Sequence, residues 1–175
     1  MISLPTSPRT GFTLTTAIVG LVTVMLNSAI AFGAEKADLV KVVKSERRLY
    51  LMKDGEVLDD FHVAFGGTPK GHKERQGDQR TPEGRYVLDW KNSQSKYHLS
   101  IHVSYPNTAD RAHAKKLGVS PGGDIMVHGQ PNGKQAFTWI TQRFNWTDGC
   151  IALSNENMDK VWAAVDPGTP VVIEP

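Results

Sequence analysis

From Leu39 to Ile173 apolar side chains recur mostly at every second position, the period of strands with one packed face and one wet face. Leu39-Val-Lys-Val-Val43 and Leu49-Tyr-Leu-Met52 read as the first two strands. Asp54-Gly55, set between apolar runs, predicts a tight hairpin after the second. Phe61, Val63 and Phe65 alternate, as do Tyr86, Leu88 and Trp90, and then Leu99, Ile101 and Val103. On that last strand His98, Ser100, His102 and Ser104 fall together on the opposite, polar face. Ile125 and Val127 face one way, so Met126 and His128 face the other, and Pro170-Val-Val-Ile173 is a final short strand.

Two stretches change period. Asp110 to Leu117 reads as a short polar helix closed by Gly118. Ser154 is the N-cap of a second helix with Glu156 in its first turn, and Met158, Val161, Trp162 and Val165 form an i, i+3, i+4, i+7 stripe. Met158 and Trp162 on such a stripe are core packing. Asp166-Pro-Gly168 ends it. Between the strands, residues 66–82 run long with almost no apolar side chain and four glycines, the composition of a lid, a binding loop or a disordered segment. The expected fold is a mainly β single domain, a sandwich or open barrel, with one or two short helices.

The first 34 residues obey a different rule. Thr10 to Ala34 carries no charge, Arg9 precedes it, and Ala17 to Leu26 is as long as a secretory apolar core. Small residues follow at Ala29, Ala31 and Ala34, so residues 1–34 are expected to be a signal peptide cut near Ala31, or else an uncleaved N-terminal anchor. That leaves 35–175 as one domain of about 140 residues, large enough for a core. The whole chain has 20 Lys and Arg against 18 Asp and Glu, and the domain loses only Arg9 from that balance, so it has no electrostatic footprint for nucleic acid. Membrane contact is expected only through the leader if it stays attached, and the location is the periplasm or cell envelope.

An exported chain with a single cysteine cannot close an internal disulfide. Cys150 follows Gly149 in the polar turn Asn145-Trp-Thr-Asp-Gly149 and leads into apolar Ile151-Ala-Leu153. A glycine before the sulfur permits a sharp turn whose N–H groups can converge on an oxyanion. Thr147 and Asp148 belong to the same turn. His128, ending the strand Asp124 to His128 and followed by Gly129, is the candidate base for a thiol that is otherwise mostly protonated at neutral pH. On residues alone a second reading stands beside this one: a small buried thiol, and a histidine that merely ends a strand. His98 and His102 are no metal pair, because i, i+4 on a strand separates them by about 13 Å.

Ile125-Met-Val-His-Gly129 and Thr147-Asp-Gly-Cys-Ile-Ala-Leu153 resemble the signature of the L,D-transpeptidase (YkuD-type) family: His-Gly, a spacer, then Ser/Thr-x-Gly-Cys and an apolar residue. Arg80-Thr-Pro-Glu-Gly-Arg-Tyr86, Ser104-Tyr-Pro-Asn107 and Pro121-Gly-Gly123 extend the likeness over residues 38 to 174. Where many members carry His and Arg, this chain has Asp148 and Ala152. Asp148 is either an acidic neighbour of the site or a cap of the turn.

The resemblance implies Cys150 as nucleophile and His128 as base, acting on peptidoglycan stem peptides through a thioester in wall biogenesis and remodelling. The acceptor would be a second stem or a wall-attached protein. Water in its place would make the same site a carboxypeptidase or amidase, and a non-catalytic wall-binding module is the third reading. Gly129, Tyr105, Ser104, His102 and Arg80 are expected near the substrate, with Gly149, Asp148 and Thr147 supporting the turn. No metal and no organic cofactor is implied.

Overall fold

The computed structural model describes Met1 and residues 35–175. The expected leader therefore lies outside the described residues, apart from Met1. Eight strands form one sheet: β1 Leu39–Val43, β2 Arg48–Lys53, β3 Glu56–His62, β4 Gly84–Ser95, β5 His98–Val103, β6 Met126–His128, β7 Ile151–Ala152 and β8 Thr169–Glu174. Their order is β3-β2-β1-β8-β4-β5-β6-β7, antiparallel except for the parallel pairs β1–β8 and β6–β7. The sheet curls into a half-barrel, matching the open-barrel expectation. Its two edges are stitched past the end of β3, where Ala64 and Ala152 exchange both backbone hydrogen bonds at 2.9 and 2.8 Å.

The period-two reading explains most of this. Val40, Val42, Leu49, Leu51, Phe61, Val63 and Phe65 are all buried in one core. At the β2–β3 hairpin both Asp54 (φ 51) and Gly55 (φ 87) are left-handed, the conformation the Asp-Gly pair is suited to. Trp90 departs from the expected alternation. A register shift between Leu88 and Lys91 ends it, so Tyr86 and Leu88 point inward while Trp90 stays exposed.

Helix α1 spans Thr108–Lys116, two residues earlier than expected, because Asn107 and Asp110 close a reciprocal capping box. Helix α3, Asn155–Ala164, starts at the expected Ser154 cap and buries Met158, Val161 and Ala164. Trp162 is only partly buried, its ring under the Lys91 Nζ at 4.7 Å. A third helix, α2 (Thr138–Thr141), follows a single 3₁₀ turn at Gln135–Phe137 and was not expected. One turn of helix leaves no periodic signature to read.

The long 66–82 connection is tied down by buried lysines rather than by apolar packing. Lys44 Nζ donates to the Gly71 and Thr81 carbonyls and pairs with Glu83 at 2.7 Å. Lys73 Nζ pairs with Asp78 at 2.8 Å, and Asp78 also accepts the N–H groups of Glu74, Arg75 and Arg80. Burial alone would raise the Asp78 carboxyl, but Lys73 and those three donors outweigh it and bring it down to about 2.

Candidate functional site

β6 and β7 run parallel at the sheet edge, with Val127 opposite Ile151 and His128 opposite Ala152. Cys150, one residue before β7, is thereby carried alongside the strand that ends in His128. The Leu153 N–H, donating to the His128 carbonyl at 2.8 Å, extends the pairing. Cys150 and His128 line one cavity of about 330 Å³ together with Ser95, Tyr97, Ser100, Asp124, Met126, Trp146, Thr147 and Asp148.

The turn that presents the sulfur is held by Thr147. Its hydroxyl donates to the Cys150 carbonyl at 2.7 Å and accepts the Gly149 N–H at 3.2 Å. The backbone of Thr147 is fixed in turn by the Phe65 carbonyl and the Gly67 N–H. Gly149 has φ +128, and a Cβ there would stand 2.6 Å from the Arg80 carbonyl oxygen, so the position admits only glycine. The expectation that a glycine frees N–H groups for an oxyanion needs adjusting, because Gly149's own N–H is taken by Thr147.

The His128 ring is buried, and its Nδ1 lies 2.7 Å from the Gly129 carbonyl oxygen. A carbonyl can only accept, so the proton sits on Nδ1 and Nε2 is left as the ring's acceptor. Tyr97 (centroids 4.6 Å apart) and Trp146 (5.8 Å, edge-on) enclose the imidazole. Burial pulls the His128 pKa down, against the raising effect of the Gly129 carbonyl. Burial likewise pushes the Cys150 thiol up; the Met126 N–H and Lys73 oppose this, and the Asp148 and Asp124 charges add to it. The thiol donates to the Asp124 carbonyl at 3.6 Å. Both shifts favour the neutral pair, a thiol beside an uncharged imidazole.

Of the residues singled out from the sequence, Cys150, His128, Thr147 and Asp148 share this cavity. Gly149 belongs to the turn itself, its N–H held by Thr147. Gly129 contributes through its backbone, and a Cβ on it would meet Asn155 Oδ1 at 2.7 Å. The others stand elsewhere. His102 stacks on Trp90 (5.1 Å) and meets Asp89 at 2.7 Å, because Ser100, not His102, is the β5 residue opposite His128. Ser104 is engaged as acceptor of the Val87 N–H. Tyr105 is buried, its hydroxyl donating to the Pro121 carbonyl at 3.0 Å. Arg80 directs its guanidinium toward Glu74 and the His72 carbonyl, and with Arg75 lines a separate cavity of about 620 Å³. Asp148 is met by Gln79 Nε2 at 3.5 Å.

Residues missed from the sequence are Tyr97, Trp146, Met126 and Asp124 as cavity walls, and Gln130 as a support. Gln130 is fully buried: its Nε2 donates to the Leu153 carbonyl at 2.5 Å, its Oε1 accepts from Thr141, and its N–H meets Asn155. Its place two residues after His128, and Trp146's place one before Thr147, were the available signals.

A curled sheet whose edge carries a thiol and an imidazole into one cavity outlines a domain suited to thiol chemistry. The chain belongs to the YkuD family, the L,D-transpeptidase catalytic domain, whose profile matches residues 37–173. It is 30% identical over 132 residues to the Escherichia coli (strain K12) protein named "Putative L,D-transpeptidase YafK", covering 72% of this chain and 46% of that one. The helical cell shape determining protein Pgp2 from Campylobacter jejuni aligns with TM-score 0.58 at 30% identity over 78% of this chain and 46% of Pgp2. An L,D-transpeptidase from Xylanimonas cellulosilytica shares the fold, with TM-score 0.52 at 18% identity over 79% of this chain and 61% of that structure. The chain thus spans about half the length of YafK and Pgp2.

Proposed function

We propose that this chain is an exported peptidoglycan L,D-transpeptidase that works through a thioester on Cys150, with His128 as general base. The observation that carries the reading is the shared cavity of Cys150 and His128, with the Nδ1 proton fixed on the Gly129 carbonyl and Nε2 left to take a proton. Family membership and the likeness to the helical cell shape determining protein Pgp2 support a role in the wall of the cell envelope.

Because the resting pair is neutral, the thiol proton passes to His128 Nε2 as the sulfur attacks. The carbonyl attacked lies on the L-side of a D-amino acid in a stem peptide. A C–S bond forms, and the negative oxygen of the tetrahedral intermediate would fall to the Cys150 N–H, since Gly149's is engaged. The C–N bond then breaks and the imidazolium protonates the departing D-residue's amine. An acceptor amine from a second stem, or from a wall-attached protein, gives its proton to His128, forms the new amide and releases the sulfur. Tyr97 and Trp146 shield the imidazole from water, which favours transfer over hydrolysis.

The test is product analysis of purified tetrapeptide muropeptides incubated with the chain. Cross-linked or exchanged products, absent with Cys150→Ala, support the proposal. Tripeptide as the sole product would make the enzyme a carboxypeptidase, and no turnover by any condition would sink the catalytic reading.

A further inference from the structure

The segment between His128 and Cys150 carries a surface that the site does not use. Phe137, Trp139, Ile140 and Phe144 are 56%, 63%, 37% and 63% exposed. Phe137, Ile140 and Phe144 follow i, i+3, i+7 spacing across the 3₁₀ turn, α2 and the turn after it, so they share one side, while Trp139 projects about 100° round from Ile140, over Arg143. None of the four lines a cavity named above; they project outward. The other side is fastened to the domain. Thr141 donates to the buried Gln130, Arg47 donates to the carbonyls of Gln142 and Arg143 at 3.0 Å each, and His62 meets the Gln142 carbonyl at 2.9 Å. The segment is therefore a braced support with an apolar outer face.

Its charge has one sign. Residues 125–147 contain no Asp or Glu, while Lys134 and Arg143 flank the aromatics, and the Arg143 guanidinium lies 5.6 Å from the Trp139 ring centroid. Aromatic side chains bordered by cations, without acids, match the boundary between the headgroups and acyl chains of an anionic bilayer. A second copy of the chain is disfavoured, because the Lys134 and Arg143 pairs would face one another. Among the described residues no helix is long and apolar enough to cross a membrane, so the contact is interfacial.

We propose that residues 135–144 form a peripheral docking surface for anionic phospholipid, distinct from any attachment through the leader. The surface is independent of the proposed chemistry. It would hold the mouth of the Cys150 cavity, which Trp146 walls, near the membrane surface.

All four tryptophans of the chain lie beyond residue 34, so their quenching reports on the domain and not on the leader. The full chain is mixed with phosphatidylethanolamine–phosphatidylglycerol vesicles bearing brominated acyl chains. Quenching is expected, most of it lost in Trp139→Phe, and apparent partitioning about tenfold weaker in Phe137→Ser/Phe144→Ser at unchanged melting temperature. Pure phosphatidylcholine vesicles should quench less. Absence of quenching, quenching equal in Trp139→Phe, or equal quenching on both vesicle types would overturn the proposal. So would a dimer, or binding to purified peptidoglycan, that the double variant abolishes while quenching is absent.

Discussion

Thr147→Val isolates how the nucleophile is presented. Valine keeps the branched shape of threonine and removes the hydroxyl that bridges the Cys150 carbonyl (2.7 Å) and the Gly149 N–H (3.2 Å). Thr147 is buried, and so is Gly149, so water does not replace the lost partner. A buried group left unsatisfied costs about 1–3 kcal/mol, and the two lost bonds together place the loss near 2 kcal/mol. For a domain of about 140 residues, an unfolding entropy near 0.3 kcal/mol/K turns that into a melting temperature lower by about 7 °C. The turn also loses the link that sets the sulfur's distance from His128, so acylation of Cys150 should slow by about tenfold to a hundredfold. Differential scanning calorimetry and the rate of a mass-detected thiol adduct measure the two effects, and Thr147→Ser should restore both. A Val variant that melts and reacts like the wild type would refute the bridging role.

Further outcomes follow from other parts of the structure. Alkylation of Cys150 by iodoacetamide should still be climbing with pH above the ordinary thiol range, without an earlier plateau, because burial raises the thiol and lowers His128; a plateau below pH 7 would indicate a preformed thiolate–imidazolium pair. Asp78, held at about 2 in the fold and near 3.9 when unfolded, contributes stability that is complete above pH 4 and lost as pH falls through 2. Urea midpoints should show that loss in the wild type, amounting to about 2 kcal/mol, and Asp78→Asn should lack it; identical acid profiles would contradict the account. Gly149→Ala should fail to react at Cys150, since its Cβ would stand 2.6 Å from a carbonyl oxygen, and a thiol reaction rate within twofold of wild type (about that margin for a bystander) would show that the backbone gives way. His102→Gln, by contrast, should leave the reaction unchanged, because its ring rests on Trp90 outside the cavity.

Local chemistry made much of this fold legible. Alternation marked the buried strands, Asp54-Gly55 marked the hairpin, and Ser154 with Met158 and Val161 marked α3. What escaped depended on pairing over long distances. The β4–β5 register shift that exposes Trp90 leaves no trace in the residues around it. Putting Ser100 and His102 on one polar face is sound as strand geometry, yet only Ser100 sits opposite His128, and Asp89 and Trp90 hold the His102 ring away from the cavity. The 66–82 connection looked loose because its anchors, Lys44 and the Lys73–Asp78 pair, are polar groups whose burial no hydropathy pattern reveals. The Cys150 and His128 motifs were visible, but Tyr97 and Trp146 reach the imidazole through turns that periodicity does not predict.

Covalent capture reads the reactivity of Cys150, and its dependence on His128, without a natural substrate. The chain is incubated with a carbapenem and its intact mass recorded over time, with peptide mapping of the product. One adduct per chain is expected on Cys150, none in Cys150→Ala, with formation slowed by about a hundredfold or more in His128→Ala. An unmodified Cys150 under native conditions that labels only after denaturation would contradict its role as nucleophile.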